Sequence, residues 1–405
     1  MIDTALCVNV ASGSIVTPKG FTATGIHAGI RKKRKDLGAI LCEVPASCAA
    51  VYTLNQVQAA PIVVTKDSIS AYHKLQAIVV NSGNANACTG EKGEQDAYEM
   101  RRLTAEQFGI EESMVAVAST GVIGQLLPMS AVRAGIVQLE PDKEDGESFY
   151  EAILTTDLVT KRACYQTTIN GQTVTIAGAA KGSGMIHPNM ATMLGFVTTD
   201  ANIDSAVLQA ALSKITDVTF NQITVDGETS TNDMVVVMAS GLAGNEALTP
   251  EHPEWEKFYQ ALQLTCRDLA KLIAKDGEGA TKLIEVRVDG AVSAESARMA
   301  AKKVVGSALV KTAVHGEDAN WGRIISALGH SEAPMDPRKV DIAIGPITVL
   351  KQSEPQPFSE EEATRYLQGD TIVIHVNLNV GTASGMAWGC DLSYDYVKIN
   401  ACYRT

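Results

Sequence analysis

No stretch of the sequence holds the roughly 18 consecutive apolar residues that a membrane-spanning helix needs, so no membrane span is expected. Positive charge is scarce as well: 34 Lys and Arg stand against 46 Asp and Glu, a formal charge of −12. Binding nucleic acid requires an excess of cations to displace counter-ions from phosphates, so that class is set aside. The one basic cluster, Arg31-Lys-Lys-Arg-Lys35, runs straight into Asp36 and reads as a solvated turn. Eight cysteines include no Cys-x-x-Cys pair, which points to neither a zinc site nor a disulfide framework, and no metal is expected. The opening residues Met1-Ile-Asp-Thr4 lack the basic and apolar regions of a signal peptide, so a cytoplasmic protein with reduced thiols is expected. Internal repeats, low-complexity tracts and clear linkers are absent too.

What remains is an ordinary globular composition, 45% apolar and 20% charged, on a chain long enough for two cores or one large one. Short apolar runs predict strands at 39–44, 76–80, 114–118, 173–177, 234–238, 283–288, 340–350, 371–378 and 386–399. Helical spacing predicts helices at 91–108, 130–138, 143–154, 205–215, 254–275, 293–309 and 359–367. Asp204 is placed to cap the helix that begins at Ser205. The expected fold is α/β, or α+β in the stricter sense, with mixed sheets and helices packed around them.

The chemistry centres on Lys181-Gly-Ser-Gly-Met-Ile-His-Pro-Asn-Met-Ala-Thr-Met-Leu194, close to mid-chain. Two glycines around Ser183 allow close backbone approach, Lys181 brings a cation, and Pro188 holds His187 out of helical geometry. The loop ends on Ala191-Thr192, a small residue before a hydroxyl. A threonine hydroxyl is a weak nucleophile without an adjacent base. Cleavage of the bond before Thr192 would supply one, because a free α-amine has a pKa of about 7.7–8.0. Taken alone, Ala-Thr reads as the start of a strand, and the surrounding loop does not by itself overturn that reading. His187, a lone histidine, is read as structural.

A second candidate is Ser119-Thr-Gly-Val-Ile-Gly124, where a strand ending in Thr-Gly can aim a hydroxyl and a backbone N–H at one point, although the residues alone favour an ordinary glycine turn. For Asn81-Ser-Gly-Asn-Ala-Asn86 and its continuation to Gly90, a structural turn and a ligand loop are evenly balanced. The polar run 220–233 has acidic groups but no calcium-loop spacing, and is expected to shape a turn or the site. Glu278 stands between Gly277 and Gly279, which lets the backbone present it sharply.

These blocks together resemble the ornithine acetyltransferase family, the glutamate N-acetyltransferases of arginine biosynthesis. The similarity runs from Pro18-Lys-Gly-Phe21 through Lys181-Gly-Ser-Gly-Met-Ile186 and Asn189-Met-Ala-Thr-Met-Leu194. It continues through Asp276-Gly-Glu-Gly-Ala-Thr-Lys282 and Asn320-Trp-Gly-Arg323 to Asp395-Tyr-Val-Lys-Ile-Asn400. Asn320-Trp-Gly-Arg323 carries no role that can be derived. The resemblance implies self-cleavage at Ala191-Thr192, in the manner of N-terminal-nucleophile enzymes, into fragments 1–191 and 192–405 that form an α₂β₂ heterotetramer. It implies Thr192 as nucleophile and Thr120 and Gly121 as oxyanion hole. Thr156, Lys181, Thr192, Glu278, Asn400 and Thr405 are implied as substrate contacts, with Thr155 close enough to be confused with Thr156. The implied reaction moves acetyl from N-acetylornithine to glutamate by a ping-pong route, yielding ornithine and N-acetylglutamate with no cofactor. Acetyl-CoA stands open as a second donor, and no residue pattern separates the two types. A self-cleaving aminopeptidase or amidase and a non-catalytic amino-acid-binding homologue are the rival classes.

Overall fold

The computed structural model describes residues 6–142, 146–187 and 193–402. The chain divides into two compact units. The first comprises residues 1–182, 189–217 and 229–269, the second 183–188, 218–228 and 270–405.

Among the described residues the first unit carries a nine-stranded mixed sheet. Its order is Val8–Asn9, Lys161–Ile169, Gln172–Lys181, Leu194–Thr199, Met234–Ala239, Leu37–Tyr52, Lys74–Asn84 and Val115–Val122, with Phe21–Ile26 also pairing Leu37–Tyr52. Neighbouring residues of a strand point to opposite faces, and the apolar runs use both. Ile78, Val80, Ala116 and Ala118 enter one core with Phe149 and Tyr150. Ala77, Val79, Val115 and Val117 enter the other with Ala97, Met100 and Val132. Those partners come from helices Gly146–Ile153, Gly90–Phe108 and Met129–Ile136. A strand buried on both faces has no polar alternation, which is why these segments read as short continuous apolar runs. Helix Ala60–Tyr72, which the sequence reading missed, is tied to the edge strand by Thr65 Oγ1 donating to Val117 O at 2.7 Å and Ser68 Oγ donating to Val115 O at 2.8 Å.

Among its described residues the second unit has a seven-stranded mixed sheet in the order Glu354–Pro355, Ile347–Lys351, Asp341–Ile344, Thr371–Asn377, Leu283–Ala291, Ala383–Cys390 and Ile223–Thr224. Three expectations change here. The helix expected over 293–309 stops at Val305, because Gly306 ends it and the Ser307 hydroxyl caps a new helix, Ala308–His315. The strand expected over 340–350 is a hairpin folded at Gly345-Pro346, with Ile344 opposite Ile347. The strand expected over 386–399 ends at Cys390; Ser393 then caps helix Tyr394–Ala401, which buries none of its side chains and so leaves no periodic signal. Helix Trp321–Gly329 was not anticipated either.

Gly345 has φ +57, and a Cβ there would stand 2.3 Å from the Tyr366 ring, whose hydroxyl accepts from Val373 N at 2.9 Å. Gly345→Ala should therefore lower stability by about 1–3 kcal/mol. A urea midpoint equal to that of the parent protein would reject this account of the turn.

Candidate functional site

The two units hold separate groups of the sequence-predicted residues. In the first, strand Val115–Val122 runs parallel to Lys74–Asn84, with Ser82 opposite Thr120 and Gly83 opposite Gly121. The strand continues past the Ala118 end expected from its pattern. Gly121 has φ +137, and a Cβ would lie 2.3 Å from the Gly83 carbonyl carbon, so only glycine lets the two backbones approach there. Side-chain amides hold the turn from beneath. Ser119 Oγ donates to Asn81 Oδ1 at 2.5 Å, and Asn232 Nδ2 donates to Ser119 O at 2.9 Å and to Ala85 O. Thr120 is therefore flanked by fixed backbone and is itself buried.

The asparagine loop resolves towards its structural reading. Asn81 Nδ2 donates to Asn84 O, Asn84 Nδ2 to Gln125 O and Leu126 O, and Asn86 Nδ2 to Gly93 O. Each amide is committed within the fold. Asn232, from the polar 220–233 run, was missed because no local pattern tells a structural asparagine from a solvated one.

Asp157 organises the next group. Its carboxylate, fully buried, accepts from Lys161 Nζ at 2.7 Å, from Gly182 N at 2.7 Å and from Thr155 N at 2.9 Å. Lys181 and Lys161 lie close enough to outweigh burial and hold this carboxyl well below its ordinary range. Thr155 also donates its hydroxyl to Asp157 at 3.3 Å, whereas no bond to the Thr156 hydroxyl occurs among the described residues. Thr155 is thereby committed to Asp157 through both its backbone and its hydroxyl. The expectation that Arg31–Lys35 is a wholly solvated turn fails at two residues. Arg31 donates to Leu154 O at 2.6 Å and Thr155 O at 3.1 Å, and Arg34 to Asp157 O at 3.4 Å, because carbonyls presented in a bend suit a guanidinium fork.

Lys181 ends strand Gln172–Lys181, opposite Leu194, and is buried. The same Leu194 lies opposite Met234 on its other side, and Met234 N donates to Met193 O at 3.1 Å. Ala191 and Thr192, the predicted cleavage pair, lie outside the described residues, as does Thr405. Asp233, beside Met234, is buried, with one carboxylate oxygen that finds no hydrogen-bond partner among the described residues; burial raises its pKa well above the usual value.

In the second unit, Glu278 N donates to Ser183 O at 3.0 Å, and the Glu278 carboxyl lies against Gly184. Its Oε2 accepts from Asn400 Nδ2 at 2.7 Å, so two sequence-predicted contacts meet directly, Asn400 coming from a helix instead of the expected strand. Asp226 accepts from Met185 N at 2.6 Å and Ile186 N at 2.9 Å, which gives an acidic residue of the 220–233 run the task of holding the glycine-rich loop. Among the described residues no group of His, Cys, Asp or Glu is arranged for a metal. His187 shares a bond of 2.9 Å with Thr224 Oγ1, and burial, with Lys302 and Lys303 nearby, lowers its pKa to about 4. That fits the structural reading of this histidine.

Asp157→Asn would break the buried ion pair with Lys161, a loss of about 3–5 kcal/mol. A folded-state carboxyl held below its unfolded value stabilises above about pH 4 and loses that contribution as pH falls through the folded value. The gap in urea midpoint between parent and variant should therefore be full at pH 7 and shrink on acidification below about 4. Equal midpoints at pH 7 would remove Asp157 from this role.

The comparisons bear on the whole chain. No described helix is long and apolar enough to cross a membrane. The chain is 68% identical over 405 residues to the arginine biosynthesis bifunctional protein ArgJ of Geobacillus kaustophilus, covering 100% of this chain and 99% of that one. The protein of the same description from Geobacillus stearothermophilus is 67% identical over 398 residues, covering 98% and 97%. A crystal structure of arginine biosynthesis bifunctional protein ArgJ from Bacillus halodurans matches with TM-score 0.51 and 68% identity, covering 51% of this chain and 97% of that one. The model of the ArgJ family matches residues 22–405. The chain belongs to the ArgJ family of bifunctional acetyltransferases of arginine biosynthesis.

Proposed function

We propose that the chain cleaves itself between Ala191 and Thr192, and that the released Thr192 carries an acetyl group from N-acetylornithine to glutamate. The observation that carries this is Leu194, two residues past Thr192, lying directly opposite Lys181 in the sheet. The start of this strand is thereby tied to a buried cation.

In the first stage the Thr192 hydroxyl attacks the Ala191 carbonyl, and the peptide nitrogen leaves as the ester forms. That departure frees the α-amine of Thr192, and water then hydrolyses the ester to an Ala191 carboxylate and the free Thr192 hydroxyl. Strand Leu194–Thr199 is hydrogen-bonded between Gln172–Lys181, which precedes the cut, and Met234–Ala239, which follows it. Fragments 1–191 and 192–405 would therefore stay together through a shared sheet. The crystallised Bacillus halodurans chain is about half as long as this one, which supports a cut near mid-chain.

In the second stage the α-amine takes the hydroxyl proton as Thr192 attacks the acetyl carbonyl, and the leaving ornithine amine takes that proton. Thr120 and the Gly121 N–H stabilise the oxyanion. The amine of glutamate then attacks the acetyl ester, giving N-acetylglutamate. Lys181 is assigned the substrate carboxylate, Thr156 a polar contact, Glu278 an amino group, and Asn400 the orientation of the Glu278 carboxyl. Thr405 is carried as a further contact from the family resemblance alone. The bifunctional description of the relatives supports acetyl-CoA as a second donor. We assign the working form as an α₂β₂ assembly in the cytoplasm that needs no bound cofactor.

Denaturing mass spectrometry of the protein incubated with N-acetylornithine should show two fragments divided before Thr192, the C-terminal one heavier by a single acetyl. One uncut chain would overturn the first stage, and fragments that never acquire acetyl would overturn the second. Thr192→Ala should give an intact, inactive chain. Thr120→Ala should slow transfer about 100- to 1,000-fold, the effect typical of losing one oxyanion donor, with little change in urea midpoint. An unchanged rate would exclude Thr120 from the oxyanion hole.

A further inference from the structure

Arg323 belongs to a stretch, Asn320-Trp-Gly-Arg323, that takes no part in the acetyl transfer above. In the second unit it stands in the wall of a cavity of about 690 Å³, a volume within the range of small-molecule sites. The same cavity is lined by Lys302 and Lys303 from the last turn of helix Ala294–Val305, and by His330 at the end of helix Trp321–Gly329. Against these cations Glu332 is the one carboxylate among the described lining residues. His187 lines the cavity as well, and is neutral near pH 7 because its pKa is lowered to about 4.

Two features separate this cavity from an ordinary surface cleft. The first is sign: the chain carries a formal charge of −12, yet three permanent or near-permanent cations converge here on one acid. Like charges brought together repel, and an arrangement that keeps them together is suited to an anion. The second is preorganisation. Arg323 Nη1 donates to Leu309 O at 2.8 Å and to Thr312 Oγ1 at 3.1 Å, both neutral oxygens. Those bonds fix the guanidinium plane without neutralising it, and a guanidinium has five N–H donors in a fork that matches phosphate oxygens. An amino-acid carboxylate carries one charge and would leave most of this field unanswered. A phosphate or pyrophosphate group answers it.

We infer that this cavity binds a phosphate-bearing small molecule, its phosphate oxygens held by Lys302, Lys303 and Arg323. The inference is independent of the acetyl-transfer reading, because none of these residues is placed in that reaction.

Calorimetric titration of the full chain with inorganic pyrophosphate tests it. Binding is expected, and Arg323→Gln or Lys302→Gln should each weaken it at least about tenfold, the usual effect of losing a charge-assisted bond. Lys303→Gln, at an exposed position, should weaken it too and guards against a misfolded Arg323 variant. Transfer of acetyl from N-acetylornithine to glutamate should continue near the parent rate in all three, which shows that they fold. Lys302 shares the cavity with Lys303, Arg323, His187, His330 and Glu332, and burial lowers its pKa to about 8. Affinity should accordingly fall as pH rises through 8 and the ammonium loses its proton. ADP and CoA, titrated next, distinguish a nucleotide from an acyl carrier as the source of the phosphates. Absence of pyrophosphate binding at millimolar concentration, or equal affinity in the parent and all three variants, would overturn the inference.

Discussion

A carboxylate with no access to water, that of Asp157, is the constraint on which the first unit's site depends. An ionised group in that position is tolerable only with opposite charge and hydrogen bonds around it. Lys161 supplies the ion pair, Gly182 and Thr155 supply backbone donors, and Lys181 adds its field. Each partner is immobilised in turn. The end of strand Gln172–Lys181, the bend at Thr155 and the start of Lys161–Ile169 are drawn to one point. A lysine that would otherwise trail into solvent becomes a buried cation of fixed position. Such preorganised charge is what an acyl-transfer site needs, because no solvent reorganisation is then required during reaction.

The second unit uses the same logic with weaker partners. Asp226 holds two consecutive amides of the glycine-rich loop, and Glu278 is steadied by Asn400 and by the backbone of Ser183. In both units an acidic side chain fixes backbone N–H groups, so acidity in the sequence has become local rigidity. The 220–233 run is the clearest case. It was expected to shape a turn or the site, and Asp226 and Asn232 spend their bonding capacity on the protein's own backbone.

The elements most legible in the sequence were those with one strong signal. Helix Gly90–Phe108 and helix Trp255–Lys275 fall within a residue of their expected bounds, because long amphipathic periodicity outweighs the uncertainty at their ends. Strand Thr371–Asn377 alternates cleanly and is found as expected. Helix Tyr394–Ala401 buries nothing, so its residues carry no spacing, and the hairpin at Gly345 hid inside one apolar run. Helix Ala60–Tyr72 starts on Pro61, but its buried polar residues Thr65 and Ser68 blur the apolar stripe. Of the site, Thr120 with Gly121 and Glu278 with Asn400 were named from motifs, and both pairs occupy constrained, buried or hydrogen-bonded positions. The supporting roles of Asp157, Lys161, Arg31 and Asn232 were not anticipated. Their partners are distant in sequence and no spacing encodes them.

Residue order by itself determined the class of fold, the family and the identity of the chemical groups, because these rest on composition, periodicity and contiguous motifs. Tertiary structure alone decided which groups are charged, buried or committed. Thr155 is tied to Asp157, Lys181 is buried, and Lys302, Lys303 and Arg323 share one cavity. The reason is physical. Burial and electrostatic fields are sums over neighbours brought together by folding, and the residues that set them lie tens to more than a hundred positions apart.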